Sequence, residues 1–129
     1  ETNPNITSVG FQKDVRPYFA ISNCLAFPSY REGFPNVVMQ AGAMELPSIV
    51  SNINGCNEII EDGVNGIIVA VKDSASLLKA MKQIVTNKQY YKKLKNNSRP
   101  MITSRYEQMM VWNALLQEYK SLIAEFKQV

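Results

Sequence analysis

The chain has 129 residues, with 14 Lys or Arg against 11 Asp or Glu and a formal net charge of +3. That length suits one domain with a core of its own, and 46% apolar residues fit an ordinary globular protein. The densest basic cluster is only Lys92, Lys93 and Lys95, which reads as a solvated helix face, so no nucleic-acid partner is expected.

Cys24 and Cys56 lie far apart, with no CxxC spacing and no histidine anywhere in the chain. Cys24 sits in the apolar run Cys24-Leu25-Ala26-Phe27 and reads as a small core residue. Neither a disulfide framework nor a zinc site is supported, and a reducing cytoplasm is the default. Without histidine there is no Ser-His-Asp triad, Cys-His pair or His-ligated metal. Asp14, Asp62 and Asp73 are isolated, so no Asp-x-Asp pair holds a hard cation, and no metal or other cofactor is expected. The first residues lack a signal-peptide pattern, and no apolar run approaches the roughly 18 residues of a spanning helix. The expectation is a cytoplasmic protein, with room for peripheral contact at the inner face of the cell membrane.

In chain order, strands alternate with helices, which predicts a parallel sheet. Residues 6–11 read as a first strand, and Asp14 as the cap of a helix over 15–22 with Pro17 in its first turn. Residues 23–28 read as a buried strand with helices on both sheet faces. A loop, Ser29-Tyr30-Arg31-Glu32-Gly33-Phe34-Pro35, leads to a helix over 36–45. Residues 47–51 form the next strand, residues 58–61 a short helix and residues 67–71 another strand. Asp73 or Ser74 caps a helix to about Val85, whose apolar residues fall at helical spacing. A further helix covers 87–96, Pro100 breaks the chain, and a last helix runs from about Tyr106 to Phe126. Its stripe of Met109, Trp112, Leu116, Tyr119, Ile123 and Phe126 is expected to pack on its own domain. Docking on a neighbouring domain, or on a second copy, is the alternative.

The stretch from Pro28 to Asn36 carries the chemistry. In open α/β sheets ligands bind beyond the carboxyl ends of the strands, where such loops lie. Gly33 permits close approach of backbone to ligand, Pro35 sets an extended entry, and Asn36 is a good N-cap. Free amides near Val37 and Val38, with the helix dipole, would then form an anion site suited to phosphate. A carboxylate beside a phosphate is repelled, so Glu32 makes better sense as an acceptor for neutral hydroxyls of an attached sugar. Gln40, one turn into the helix, is placed for a second polyol. A surface loop with an incidental acid is the competing reading from the residues alone.

The run Pro28-Ser29-Tyr30-Arg31-Glu32-Gly33-Phe34-Pro35-Asn36-Val37-Val38-Met39-Gln40-Ala41 resembles the donor-site signature of family-4 (group 1) glycosyltransferases. In that signature a Glu is followed by seven residues and a second Glu. The resemblance continues through Leu46-Pro47-Ser48-Ile49-Val50, Gly55-Cys56-Asn57-Glu58-Ile59-Ile60 and Glu61-Asp62-Gly63-Val64-Asn65-Gly66, covering roughly 5–85. It implies a Rossmann-like α/β fold, the nucleotide-sugar-binding domain of the GT-B architecture, with a helical tail. It also implies transfer of a sugar from a UDP- or GDP-sugar to a glycan or lipid-linked acceptor, with retention and without metal, in polysaccharide assembly. Glu32 would then contact hydroxyls of the transferred sugar. The backbone of Gly33, Phe34, Pro35 and Asn36 would line sugar and diphosphate, and Val37 and Val38 would offer amides to the phosphates. Gly10, Phe11, Gln12 and Lys13 match a loop that reads the nucleobase edge.

Two departures stand out. Position 40 is Gln where the signature has its second Glu, which binds both ribose hydroxyls. The Arg and Lys that neutralise the diphosphate in relatives, and the acceptor-binding N-terminal domain, have no counterpart in these residues. The expectation is therefore a partial donor domain over 1–129, truncated at its N-terminal side and inactive alone. A sugar-nucleotide epimerase of the same fold, or a non-catalytic glycan-assembly protein with a decayed site, are the alternatives.

Overall fold

The computed structural model describes residues 3–126. Its elements are α1 (Arg16–Ile21), β1 (Leu25–Phe27), α2 (Asn36–Ala43), β2 (Ser48–Ser51), α3 (Cys56–Ile59), β3 (Gly66–Val69), α4 (Ser74–Thr86), α5 (Lys88–Tyr106) and α6 (Gln108–Phe126). The three strands form one parallel sheet in the order β1-β2-β3. Leu25 pairs with Ser48, and Ser48 in turn with Gly66. This is the α/β, Rossmann-like arrangement that alternating strands and helices predict.

Every residue of β2 is buried. Successive strand residues point to opposite faces, so Ile49 and Val50 anchor two separate clusters. Ile49 packs with Ile67, Val69, Ala80, Ile84 and Leu94. Val50 packs with Val38, Cys56, Ile59, Ile60 and Ile102. One face is thus covered by α4 and the start of α5, and the other by α2, α3 and the end of α5.

Helix α5 serves both faces because it passes the amino edge of β3. There Ser98 Oγ donates to Asn65 O at 3.3 Å, and Asn97 Nδ2 donates to Val64 O at 3.2 Å. The expected break at Pro100 does not occur, and α5 runs through it to Tyr106. Proline removes one helical hydrogen bond and crowds the preceding turn. The turns beyond it are held from outside the helix by buried Ile102 and by Arg105, whose Nη1 and Nη2 donate to Glu58 O at 2.9 Å and Ile59 O at 2.8 Å. Gly42 lets α5 approach α2: a Cβ there would sit 2.7 Å from Ile102 Cγ1.

Three further expectations are corrected. Residues 6–11 form no strand; they are exposed, and an extended segment becomes a strand only when a neighbour takes up its backbone hydrogen bonds. The strand expected to be buried, β1, is half-buried with Ala26 exposed, because it forms an edge of the sheet. The apolar stripe of α6 does not pack on this domain, and no residue of α6 is buried. Trp112, Tyr119 and Phe126 are 56%, 58% and 88% exposed. Glu107 is extended (φ −62°, ψ 134°) and turns the chain away from the core; its Oε2 accepts from Met110 N at 3.0 Å to start α6. Periodicity reports which face of a helix is apolar and says nothing of what meets it.

The capping of α4 agrees with expectation. Asp73 accepts from Ser76 N at 2.9 Å, and hydrogen bonds from the Ser76 side chain and backbone hold its carboxyl below the usual range. Asp14 stands one place before the N-cap, Val15, and accepts from Arg16 N at 3.0 Å. Two contrasting variants test the fold. Ending the chain after Glu107 should change the stability of residues 3–107 by no more than about 0.5 kcal/mol in urea unfolding. Ile102→Ala should cost about 2–5 kcal/mol, and equal effects would contradict this division of the core.

Candidate functional site

All strands run the same way, so the loop from Pro28 to Pro35 leaves the carboxyl edge of the sheet and enters α2. Glu32 is half-buried there, and Ser29 Oγ donates to its Oε1 at 2.7 Å. That bond fixes one carboxylate oxygen. Phe34 is 41% exposed and meets Tyr106 edge-on, with ring centroids 5.4 Å apart. Tyr106 in turn donates its hydroxyl to Glu58 O at 3.0 Å.

The loop is held from behind by the start of α3. Gly55 has φ +77°, and a Cβ there would overlap the Gly33 carbonyl and lie 3.0 Å from Phe34 Cα. Only glycine allows both that backbone conformation and that approach. Glu58 Oε1 accepts from Gly55 N at 3.3 Å and steadies the turn. The sequence contained this glycine in a recognised motif, but its contact with Gly33 spans chain positions too distant for spacing to reveal. Cys56, next to it, is fully buried; burial first, and then the Glu32 charge, push its thiol up.

The first turn of α2 differs from expectation. Pro35 is the N-cap and Asn36 is the first helical residue, with no side-chain cap. Proline at 35 already sets an extended conformation (φ −75°, ψ 105°), so the cap falls one residue early. The Val38 amide donates to Pro35 O at 3.1 Å and is not free. Among the described residues the amides of Asn36 and Val37 have no partner, so the pair of free amides lies one residue earlier than expected.

A cavity of about 610 Å³ brings Gln40 together with Lys13, beside Asp14, Val15, Arg16 and Met44. Arg16 is tied to Asp14 at 2.8 Å, and that guanidinium holds the Asp14 carboxyl down to about 2. Gln12 Nε2 donates to Val9 O at 2.5 Å. Gly10 takes φ +61°, and Phe11 projects into solvent, 94% exposed. The structure therefore unites Lys13 with Gln40 and groups residues 32–38 in one loop and helix start, but leaves Gly10, Phe11 and Gln12 outside both. A second cavity, of about 360 Å³, opens beside Tyr30 and was not foreseen from sequence. Lys72, at φ +59°, lines it with its Nζ 5.6 Å from the Tyr30 ring centroid. Among the described residues no group of three His, Cys, Asp or Glu could hold a metal ion.

Residues 1–101 match the family described as "Glycosyl transferases group 1". The chain belongs to the glycosyl transferases group 1 family. A capsular polysaccharide biosynthesis glycosyltransferase, CapM of Staphylococcus aureus, is 25% identical over 123 residues, covering 95% of this chain and 32% of that relative. An Escherichia coli UDP-Gal:alpha-D-GlcNAc-diphosphoundecaprenol alpha-1,3-galactosyltransferase is 30% identical over 80 residues, 62% of this chain and 21% of that protein. Among solved structures, Anabaena HepE in complex with UDP superposes with a TM-score of 0.84 at 21% identity, covering 88% of this chain and 31% of that one. This group 1 glycosyltransferase chain thus spans about a third of the length of the first curated relative, and its fold is that of GT-B glycosyltransferases.

The Gly55 contact yields a prediction. Gly55→Ala should destabilise the domain by about 1–3 kcal/mol and move the amide resonances of Gly33 and Phe34. A variant of unchanged stability with an unmoved loop would contradict the contact. The thiols yield another. Burial pushes Cys24 up to about 11 and raises Cys56 as well, so both are protonated at neutral pH. Iodoacetamide at pH 8 should leave both unmodified in the native state and label both in urea; fast native labelling would show that either thiol is open.

Proposed function

We propose that this chain is the donor-binding part of a retaining, metal-independent family-4 glycosyltransferase. It takes a UDP- or GDP-sugar and serves transfer to a glycan or lipid-linked acceptor in polysaccharide biosynthesis. The observation that carries the reading is the half-buried Glu32 carboxylate beside the unpartnered Asn36 and Val37 amides at the carboxyl edge of the sheet. Curated relatives named for capsule, lipopolysaccharide and undecaprenol-linked products support it, as does the HepE structure with UDP-glucose.

In this reading the three parts of the donor meet three chemistries. The diphosphate meets the first-turn amides and dipole of α2, which offer positive potential at no reorganisation cost. Glu32, already oriented by Ser29, accepts from sugar hydroxyls with its remaining oxygen. The ribose meets Gln40 in the cavity that also holds Lys13. A neutral amide accepts more weakly than a carboxylate there. Catalysis is then positioning plus stabilisation of the departing diphosphate. The acceptor surface belongs to a further domain, and the 129-residue chain alone should release no UDP or GDP from sugar donors.

The test separates sugar from nucleotide. In a full-length protein carrying this domain, Glu32→Ala should weaken sugar-nucleotide binding or turnover by about 1.5–3 kcal/mol and leave free-nucleotide binding nearly intact. Gln40→Glu should tighten nucleotide and sugar nucleotide alike, because both carry the ribose. Titration calorimetry with paired ligands decides. Equal weakening of both ligands by Glu32→Ala would remove Glu32 from the sugar subsite.

A further inference from the structure

The charge of this protein is distributed unevenly. Between Ser74 and Tyr106, the span of α4 and α5, every charged side chain is cationic, eight in all, while the rest of the chain holds six cations and eleven acids. Lys88, Lys92 and Lys95 recur at helical spacing and share one face of α5. They line a cavity of about 520 Å³ together with Ile84, Val85 and Tyr91. Ile84 is buried and Tyr91 half-buried, whereas the three lysines are exposed, so the cavity has an apolar floor and a cationic rim.

Beside it, α4 presents an apolar ridge to solvent. Leu78, Met81 and Val85 follow helical spacing and are 53%, 46% and 76% exposed. Lys79 and Lys82 stand among them, also exposed. Asp62, the acid that acts on α5 through Tyr90, is engaged as acceptor for Ile68 N at 2.8 Å.

We infer that the α4–α5 face, Leu78, Met81 and Val85 with Lys82, Lys88, Lys92 and Lys95, docks this domain on an anionic bilayer surface. Charge complementarity selects the headgroups, since lysines near such a surface each add to binding. The apolar ridge favours a bilayer over a nucleic acid, because side chains such as Val85 gain by leaving water for an acyl boundary and gain nothing from a solvated phosphate backbone. Asn23, which precedes β1, also lines the cavity, so the face lies toward the amino edge of the sheet. The Glu32 loop leaves the carboxyl edge and stays open when the face is covered. The inference rests on charge and exposure and holds whichever sugar donor is used.

Co-sedimentation with vesicles tests it, comparing pure phosphatidylcholine with a mixture containing phosphatidylglycerol. The wild-type chain should partition only onto the anionic vesicles and be released by salt. Lys88→Gln/Lys92→Gln/Lys95→Gln should weaken binding on the order of a hundredfold, about fivefold per lysine, with an unchanged circular-dichroism melt. Val85→Glu should weaken it with all lysines in place. Absence of wild-type binding would overturn the inference. So would binding that survives the triple substitution, which would place the contact on the exposed stripe of α6. Retention on single-stranded DNA without vesicle binding would assign the face to nucleic acid instead.

Discussion

The burial of β2 on both of its faces is the constraint from which the rest of the architecture follows. A strand of alternating side chains with no exposed residue needs apolar cover above and below. Ile49 and Val50 accordingly define two clusters. Among the helices of the described residues only α5 contributes to both, with Leu94 on one side and Ile102 on the other. That double duty explains why the helix continues through Pro100. Stopping there would uncover Val50 and release the Arg105 and Tyr106 bonds to α3. The helices guard the faces, and the carboxyl edge is left to loops.

At that edge the loop from Pro28 to Pro35 is placed by backbone contacts more than by its own side chains. Gly33 lies against Gly55, Phe34 leans on Tyr106, and Tyr106 is tied to the carbonyl of Glu58. The start of α3 and the end of α5 therefore act together as a backing for the loop. Ser29 then aims Glu32. The 2.7 Å Ser29–Glu32 bond settles the orientation of that carboxylate with no ligand present, which is what the proposed sugar contact would require.

Much of this was legible beforehand. The apolar runs at 47–51 and 67–71, the Asp73 cap and the strand–loop–helix around Glu32 were all readable, because local pattern and tertiary role agree there. The misreadings share a cause: each needed knowledge of a partner. Residues 6–11 have the composition of a strand but, among the described residues, no strand beside them. The α6 stripe has the period of a packed helix, yet among the described residues none of it is buried. Pro100 has the propensity of a helix breaker and is overruled by contacts some 46 to 48 residues away in sequence. At the site, Glu32 and Gln40 were visible as residue types in register. The shift of the α2 cap to Pro35 and the closeness of Gly55 to Gly33 depend on backbone geometry that composition does not carry.

The central claim is that the carboxyl-edge loop and the first turn of α2 bind the diphosphate and sugar of a nucleotide-sugar donor. Amide chemical-shift mapping of the ¹⁵N-labelled protein during titration with UDP, and separately with UDP-glucose and GDP-mannose, tests it most directly. The account predicts that nucleotide alone moves Asn36, Val37 and Gln40, and that a matching sugar donor adds shifts at Glu32 and Gly33. Shifts confined to other parts of the molecule, or identical at Glu32 with and without the sugar, would contradict it.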